Sequence, residues 1–139
     1  MTREQYIDLL KELEGFRDRV YLDTKGIPTC GWGHALLPYS RVPVSVCEIF
    51  FAEDLAQVEA NYLQLGLLLD PVREAVVKCM LFQLGLGGVR KFLQFLEAAR
   101  NGQWDLAAAH MLDSKWARQD SPRRALRLSQ MFASGAYAA

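Results

Sequence analysis

One stretch of the chain has the character of paired β-strands, and it lies among segments that carry helical patterns. Residues 19–34, RVYLDTKGIPTCGWGH, are rich in β-branched and aromatic side chains and are interrupted by DTKG at 23–26. That tetrapeptide suits a type I turn ending in a left-handed glycine, so the segment predicts a β-hairpin, the one convincing hairpin in the sequence. Because Pro28 has no N–H to donate, we expect its strand to lie at a sheet edge or to be bulged there.

The rest of the chain carries helix signals. In YIDLLKELEGF, apolar residues recur three and four positions apart, and Gly15 is a natural stop for that helix. After the hairpin, SVCE at 45–48 has the form of a capping box and opens a long helix through residue 63. Asp-Pro at 70–71 opens a second helix, which is apolar nearly all round and ends at the glycines of 85–88. We expect this second helix to be the buried centre of a helical lobe.

Three more helical segments follow, at 89–102, 104–112 and 122–135. The predicted fold class is therefore α+β and mostly helical, with one helix and a hairpin, a long connecting helix and then a helical lobe. We expect a single domain over residues 1–139, because a chain of this length can bury roughly 70% of its unfolded surface around one core.

The composition, 51% apolar and 23% charged, is that of a soluble globular domain. No window approaches the roughly 20 consecutive apolar residues of a membrane span, and MTREQYIDLLKE lacks the basic start, apolar run and cleavage site of a signal peptide. We therefore expect synthesis in a cytoplasm and no stable membrane association. The cysteines Cys30, Cys47 and Cys79 are odd in number and scattered, so we expect reduced, mostly buried thiols and no metal site.

Charge is distributed unevenly although the net charge is zero. Residues 1–60 hold 6 basic and 10 acidic side chains, whereas residues 61–139 hold 10 basic and 6 acidic. Much of the positive excess lies at 114–128, SKWARQDSPRRALRL, which could face phosphates, an acidic polymer or carboxylates of the amino-terminal half. A solvated helix face is the default interpretation, and we expect no nucleic-acid partner.

Two carboxylates and a hydroxyl lie near one another in sequence around the predicted hairpin. Glu14 falls at the last turn of the first helix, Asp23 lies nine positions on at the mouth of the hairpin, and Thr29 follows six positions later. The three side chains can border one cleft, and two carboxylates in unequal surroundings are what cleavage of a glycosidic bond uses. Two acids nine residues apart occur by chance in most proteins, so on spacing alone surface charge is the stronger interpretation.

Several separated blocks of sequence resemble a known family. EGFR, YLDTKG and TCGWGH resemble the amino-terminal signature of phage-type lysozymes, the muramidase endolysins of glycoside hydrolase family 24. The catalytic pattern of that family, Glu, eight residues, Asp, five residues, Thr, is matched without adjustment by Glu14, Asp23 and Thr29. The resemblance continues in order through FFAEDL, MLFQLGLGGV, QWDLAAAHML, SKW and SPRRA to SGAYAA, so it covers nearly the whole chain.

The resemblance implies a lysozyme-like two-lobe fold. A small hairpin lobe would cover about 12–50, and a larger helical lobe would cover about 60–139 and include the first helix, with a cleft between the lobes. The implied partner is bacterial peptidoglycan, and the implied state is a monomer. The protein would reside in the cytoplasm of a bacterial host until its release to the cell wall, for lysis by a phage or prophage.

The resemblance also implies a reaction, hydrolysis of the β-1,4 bond between N-acetylmuramic acid and N-acetylglucosamine. Glu14 would be the general acid that protonates the departing sugar oxygen. Asp23 would support positive charge at the anomeric carbon and help to activate water, and Thr29 would hold that water on the opposite face of the ring. This inverting arrangement needs carboxyl groups roughly 6.5 to 9.5 Å apart, and it uses no metal or organic cofactor.

Two charged contacts carry over from the family as supporting interactions. His34 and Asp54 match a buried ion pair beneath the cleft, and the alternative is two unrelated residues on a hairpin and a helix. Arg124 matches the arginine that reaches the catalytic glutamate, Glu14, although the neighbouring Arg123 could substitute for it.

Four further residues match positions expected to bind substrate. Phe82, Gln83 and Trp116 match residues that pack or hydrogen-bond at the cleft floor, and core packing is the stronger alternative for the two aromatic rings. His110 stands where a polar contact to sugar is expected, with imidazole in place of the family's usual amide.

The loop from His34 to Ser45 is short, which predicts a more open cleft.

Three other functions remain open from the sequence. A lytic transglycosylase attacks the same polymer with a glutamate but without the paired aspartate, so Asp23 argues against it. A non-catalytic peptidoglycan-binding module would not need Glu14, Asp23 and Thr29 together. Nucleic-acid binding by the arginine-rich segment is disfavoured by zero net charge and by the lack of a recognisable motif.

Overall fold

The computed structural model of the chain describes residues 1–137, so the last two residues of the expected domain lie outside the described part. The chain divides into two compact units, with the boundary between Val44 and Ser45. The first unit holds the first helix and the sheet, and the second is helical. The prediction of a mostly helical α+β fold is confirmed. The prediction of a single domain stays a prediction.

The first helix, α1, covers Arg3–Glu14 and has defined caps at both ends. At its start, Gln5 N–H donates to Thr2 Oγ1 at 3.2 Å while Thr2 N–H donates to Gln5 Oε1 at 2.8 Å, which forms a reciprocal capping box. At its end, Gly15 has a φ of 70° and donates its N–H to the Lys11 carbonyl at 2.9 Å. Gly15 therefore ends the helix as predicted.

The strands form a three-stranded antiparallel sheet in the order β1-β2-β3, with β1 at Arg17–Leu22, β2 at Pro28–Gly31 and β3 at His34–Ala35. The predicted hairpin is the β1–β2 pair. In its turn, Gly26 has a φ of 77° and donates its N–H to the Asp23 carbonyl at 2.9 Å. The glycine is needed there because a side chain at positive φ would be strained.

The expectation for Pro28 is wrong, because β2 is the central strand of the sheet. The two-residue strand β3 pairs with the other side of β2. Pro28 is tolerated because it is the first residue of its strand, and its carbonyl accepts the Leu36 N–H at 2.8 Å. The irregular pairing lies in β1 instead, between Arg17 and Tyr21.

From Val44 onward the described residues form helices: α2 at Val44–Gln64, α3 at Pro71–Arg90, α4 at Leu93–Arg100, α5 at Trp104–Leu112, a π-helical turn at Trp116–Asp120, and α6 at Pro122–Ser134. Because α2 begins at Val44, Ser45 lies inside its first turn rather than at the predicted N-cap position. The π-helical turn was not predicted.

Helix α3 begins as the sequence predicts and is interrupted near its end. Asp70 is the N-cap, and its Oδ1 accepts the Arg73 N–H at 3.1 Å, with Pro71 in the first turn. At Gly85, with φ 72° and ψ 171°, the backbone leaves the helical conformation, and helical turns then resume as far as Arg90. The glycine therefore kinks the helix, which the sequence predicted to end there.

The core of the second unit receives side chains from α2 to α6 and from the π-helical turn. The largest fully buried side chains are Phe95, Phe132, Met80, Leu81, Met111, Val76, Val77 and Val89. Phe95 and Phe132 meet edge to face with ring centroids 5.1 Å apart. Because α3 contributes five of these eight residues, it lies at the centre of the unit, as predicted.

The prediction of mostly buried thiols is wrong. All three cysteines are free, but Cys47 and Cys79 are exposed and Cys30 is half-buried. Cys79 lies on the outer face of α3, between buried residues of the same apolar run, so composition alone did not reveal which way it points. In the part of the chain that is described, no helix is both long and apolar enough to span a bilayer.

Candidate active site

Glu14 is the last residue of α1, and its exposed side chain lies against the backbone of Gly33. A methyl group placed on Gly33 would come within 2.5 Å of Glu14 Oε2 and 3.1 Å of its Cδ. Gly33 also has a φ of 73°, a conformation that residues with side chains rarely adopt. Both the contact and the backbone conformation therefore require glycine at this position.

A cation and two aromatic rings lie close to this carboxylate in sequence. The Phe16 and Trp32 rings have centroids 4.6 Å apart and are tilted by 43°. The Lys11 Nζ lies 4.6 Å from the centroid of the Trp32 ring, which is a cation–π distance. Lys11 precedes Glu14 by one helical turn, and Trp32 precedes Gly33 directly.

Asp23 is half-buried and follows β1 directly. Its Oδ1 accepts the backbone N–H groups of Lys25 at 2.8 Å and Ile27 at 2.9 Å, and its own backbone N–H donates to the Ile27 carbonyl at 3.0 Å. These bonds hold the carboxylate in place from one side. Among residues 1–137 no hydrogen bond to Oδ2 is present, so that oxygen is left to accept from water or a ligand.

Thr29 lies on the central strand and is 3% exposed. Its Oγ1 donates to the Ile27 carbonyl at 2.8 Å, so Asp23 and Thr29 are joined through a single residue. Because the only hydroxyl hydrogen is already donated, the oxygen has lone pairs alone to offer to a further partner. The burial means that such a partner must be small, for example a water molecule.

Gln83 and Trp116 are brought together in the second unit. The indole N–H of Trp116, a residue that is 3% exposed, donates to Gln83 Oε1 at 2.9 Å. Gln83 Nε2 in turn donates to Ser121 Oγ at 2.7 Å. The Gln83 amide therefore links α3, the π-helical turn and the start of α6. The burial of Trp116 favours packing over direct contact with a sugar.

His110 is half-buried on α5 and lines an open hollow of about 470 Å³. Trp116, Lys91 and Lys115 line the same hollow, together with Asp113. Asp113 is already paired, since its Oδ1 lies 2.7 Å from a guanidinium nitrogen of Arg118. The hollow therefore presents an imidazole and two ammonium groups, of which that of Lys115 lies 3.9 Å from Asp120 Oδ1, and this set suits a polar or anionic ligand.

Phe82 and Arg124 line a second hollow, of about 670 Å³. Phe82 is 48% exposed on α3, and its ring centroid lies 5.8 Å from that of Phe51. Arg123 lines this hollow as well, so the geometry of the unit does not separate the two arginines. Apolar side chains make up much of the remaining wall.

Two predicted ion pairs join residues of different units. His34 lies on β3 and Asp54 on α2, whereas Glu14 lies on α1 and Arg124 on α6. Both pairings stay predictions.

Sequence reasoning missed several residues that hold the candidate site. Ile27 links Asp23 to Thr29 only through its backbone, which leaves no trace in the side-chain pattern. Glu14 lies against the backbone of Gly33, and Gln83 donates to Ser121 Oγ; neither contact is evident from the sequence, because each joins residues far apart along the chain. Over residues 1–137, no group of three or more His, Cys, Asp or Glu side chains is arranged to hold a metal ion.

Comparison with known proteins gives one family and distant relatives. The family model described as phage lysozyme matches residues 11–127, an interval that contains every candidate site residue discussed above.

One relative is the pre-baseplate central spike protein Gp5 of Enterobacteria phage T4, which is 27% identical over 92% of this chain and 27% of its own length. Another is the probable T4-type lysozyme 1 of Dictyostelium discoideum, which is 26% identical over 92% of this chain and 93% of its own length. The chain thus spans about a quarter of the phage spike protein and nearly all of the amoebal protein.

Proposed function

The chain belongs to the phage lysozyme family, and we propose that it is a muramidase that hydrolyses the β-1,4 bond between N-acetylmuramic acid and N-acetylglucosamine in peptidoglycan. The observation that carries the proposal is the local network in which Ile27 joins Asp23 to Thr29. Glu14, Asp23 and Thr29 lie inside the matched interval, at the spacing of the family's catalytic pattern.

Glu14 is the proposed general acid. Its exposed carboxyl group can reach a bound glycan, and the carboxyl group packs against the Gly33 backbone with no side chain between them. In the reaction, the carboxyl proton passes to the glycosidic oxygen as the bond to the anomeric carbon breaks. An amide at this position could not supply that proton.

Asp23 and Thr29 are the proposed water-binding pair. The water donates one hydrogen to Asp23 Oδ2 and the other to Thr29 Oγ1, because both atoms act as acceptors in this arrangement. A lone pair of the water then points toward the anomeric carbon, on the face opposite the leaving group. Asp23 takes the proton of the attacking water and also stabilises the positive charge that develops on the sugar. The first product is therefore the α-anomer.

Four residues of the second unit are proposed to support glycan binding. Phe82 offers an exposed ring that can lie against a sugar face, and His110 offers a polar contact. Gln83 and Trp116 hold each other through a hydrogen bond, so Trp116 acts by shaping the surface rather than by touching sugar. Neither a metal nor an organic cofactor is needed for acid and base chemistry of this kind.

The names of the two relatives support the setting of this activity. The name of the Dictyostelium protein, a probable lysozyme, supports lysozyme activity for a chain of this length. The name of the T4 spike protein supports a phage origin. We propose that the protein acts in bacterial cell-wall lysis by a phage or prophage, as a monomer that stays in the host cytoplasm until release, with peptidoglycan as its partner and without binding nucleic acid.

The test is an assay for cleavage of purified peptidoglycan, in which the fall in turbidity and the appearance of new reducing ends are measured. Wild type should clear the suspension, and Glu14→Gln should abolish clearing while its thermal unfolding midpoint stays close to that of wild type. Glu12→Gln, an exposed residue of the same helix, is the matched control and should remain active. Anhydro-sugar ends would identify a lytic transglycosylase instead, and binding to peptidoglycan without cleavage would identify a non-catalytic module.

A further inference from the structure

The turn between β2 and β3 has an unusual composition, because its one large side chain lies between two glycines. Gly31 has a φ of 64° and Gly33 a φ of 73°, and Trp32 stands between them. Pairing of Cys30 with His34 closes the turn, but glycine has more backbone freedom than any other residue, so an anchored side chain between two glycines adds to the order of the turn. The contacts of Trp32 therefore bear on how well the turn is ordered.

Trp32 contacts residues on both sides of Glu14 in sequence. The Lys11 Nζ lies 4.6 Å from the Trp32 ring centroid, and the Phe16 centroid lies 4.6 Å from it. Lys11 belongs to the last turn of α1, and Phe16 follows the helix after Gly15. These three side chains, which we call the aromatic stack, tie the β2–β3 turn to the end of the helix that carries Glu14.

The aromatic stack includes Trp32, and the Glu14 carboxylate lies against the next residue along the chain. Gly33, the next residue after Trp32, is the surface against which Glu14 Oε2 rests, close enough that a methyl group would lie 2.5 Å away. The carbonyl of Trp32 and the N–H of Gly33 belong to one rigid peptide unit, so a backbone shift at Trp32 also moves Gly33. An indole ring held by Lys11 and Phe16 opposes such a shift and thereby supports the backbone against which the Glu14 carboxylate lies.

We propose that Trp32 is a positioning residue for the general acid: the aromatic stack of Lys11, Phe16 and Trp32 holds the β2–β3 turn against the end of α1 and thereby sets the aim of Glu14. The inference rests on the proposed function, because it gives Glu14 the role of the acid. It assigns Trp32 a function in catalysis although the side chain itself touches no reacting atom. The competing role for exposed rings near a glycosidase centre is direct stacking on a sugar.

The first experiment does not depend on activity. Backbone NMR relaxation would measure the order parameter of the Gly33 amide in wild type, in Trp32→Ala and in Tyr39→Ala. Tyr39 is a fully exposed aromatic residue of the same unit and serves as the control. In Trp32→Ala we expect the order parameter to fall from about 0.85, typical of rigid backbone, to below about 0.6. A value equal to that of wild type would overturn the proposal.

The second experiment separates positioning from sugar binding by steady-state kinetics on soluble peptidoglycan fragments. Trp32→Ala should lower kcat by roughly tenfold to a hundredfold, the effect of a small misplacement of a reacting group, while KM changes little. Trp32→Phe should recover most of the loss because it restores a ring, and Lys11→Met should give a smaller loss. Tyr39→Ala should match wild type.

Binding measured in the inactive Glu14→Gln background completes the test. If Trp32→Ala leaves the fragment affinity of Glu14→Gln unchanged, the positioning role is supported. If the affinity falls, and KM rises with an unchanged kcat, Trp32 binds sugar directly and the proposal is overturned. An inactive wild type would instead overturn the proposed function, and the order parameter of Gly33 would still decide whether Trp32 holds the turn.

Discussion

The carboxylate of Glu14 lies directly against the backbone of Gly33, with room for a hydrogen atom between them and no room for a methyl group. The proposed proton donor, on the last residue of α1, therefore touches the turn between β2 and β3. Glycine is required at position 33 for two reasons, its left-handed backbone and the space that it leaves for the carboxylate, and the two can be tested separately.

Gly33→Ala should lose both stability and activity. An alanine held at a φ of 73° should lower the unfolding free energy by roughly 1 to 2 kcal/mol, and its methyl group should displace the Glu14 carboxylate. Gly66→Ala is the matched control, because Gly66 has a φ of 64° but open space around a built methyl group. Urea unfolding should show similar losses for the two variants, whereas kcat should fall only in Gly33→Ala. Equal kcat values would rule out the contact as functionally important.

Asp23→Asn should inactivate the protein without disturbing the turn. An asparagine Oδ1 can still accept the Lys25 and Ile27 N–H groups but without the charge that strengthens these bonds, so the unfolding free energy should fall by only about 1 kcal/mol. The lost negative charge should lower kcat by roughly two to four orders of magnitude, as expected for a missing base. Asp18→Asn, on exposed β1, is the control and should remain active. An active Asp23→Asn with an intact turn would remove Asp23 from the mechanism.

Thr29→Val tests the hydroxyl group with little change of shape. The Ile27 carbonyl keeps its bond from the Asp23 N–H when the Thr29 hydroxyl is removed, so no buried acceptor is left unpaired. We expect a stability loss of about 0.5 to 1.5 kcal/mol and a large fall in kcat. Thr29→Ser keeps the hydroxyl and should keep most of the activity. If serine and valine have the same kcat, the hydroxyl does not hold the water.

The parts of the fold that the sequence predicted correctly are those with local causes. Asp70 and Pro71 mark the start of α3 because an N-cap and a first-turn proline act within four residues. Gly15 marks the end of α1 for the same kind of reason. The spacing of Glu14, Asp23 and Thr29 was likewise visible, because the three residues lie within one short segment, and their catalytic roles stay predictions.

The parts that the sequence did not predict depend on contacts between distant segments or on very short elements. The two residues of β3 are too few to show an alternating pattern, so the sequence predicts that β2 lies at a sheet edge or is bulged at Pro28, whereas it is the central strand. The contact of Glu14 with Gly33 joins residues that are nineteen positions apart. The sequence did not show that Cys79 is exposed, because α3 carries apolar residues on nearly all of its faces and so has no clear polar face.

Acid should weaken the start of α3. Burial by itself raises the pKa of Asp70, but hydrogen bonds from the Arg73 side chain and backbone, together with its charge, outweigh burial and lower the pKa below its ordinary value. A carboxyl group with a lowered folded pKa stabilises the protein above its unfolded pKa of about 3.9, and this contribution is lost as the pH falls through the folded pKa.

The variant that tests this is Asp70→Asn, which keeps a good N-cap residue but loses the ion pair with Arg73. Because the Asp70 side chain is 36% exposed, solvent screens the pair, and we expect a deficit of only about 0.5 to 1 kcal/mol at neutral pH. Urea titrations should show the deficit shrinking below about pH 4. Asp105→Asn, an exposed change in the same unit, should show no such trend. A deficit that is constant with pH would mean that the pair does not carry the effect.

Trp116 and Gln83 allow packing to be separated from sugar binding. Gln83→Ala leaves the buried indole N–H of Trp116 without its acceptor, and an unpaired buried donor costs roughly 1 to 3 kcal/mol. In a Trp116→Phe background that donor is absent, so the same Gln83→Ala change should cost roughly 1 kcal/mol less. Denaturant unfolding of the wild type, the two single variants and the double variant gives this coupling energy. Gln119→Ala, an exposed glutamine of the π-helical turn, should show no coupling to Trp116→Phe.

The kinetics of the same variants decide the role of the ring. If Trp116 only packs, Trp116→Phe should keep the KM of wild type at temperatures where it is fully folded, because phenylalanine retains a buried ring. A ring that lies against sugar would instead raise KM in Trp116→Phe and leave kcat nearly unchanged, since it contributes equally to the bound substrate and the transition state. Unchanged KM together with a coupling energy near 1 kcal/mol would establish that Trp116 supports the site through Gln83, whereas raised KM with no coupling would assign it to glycan binding.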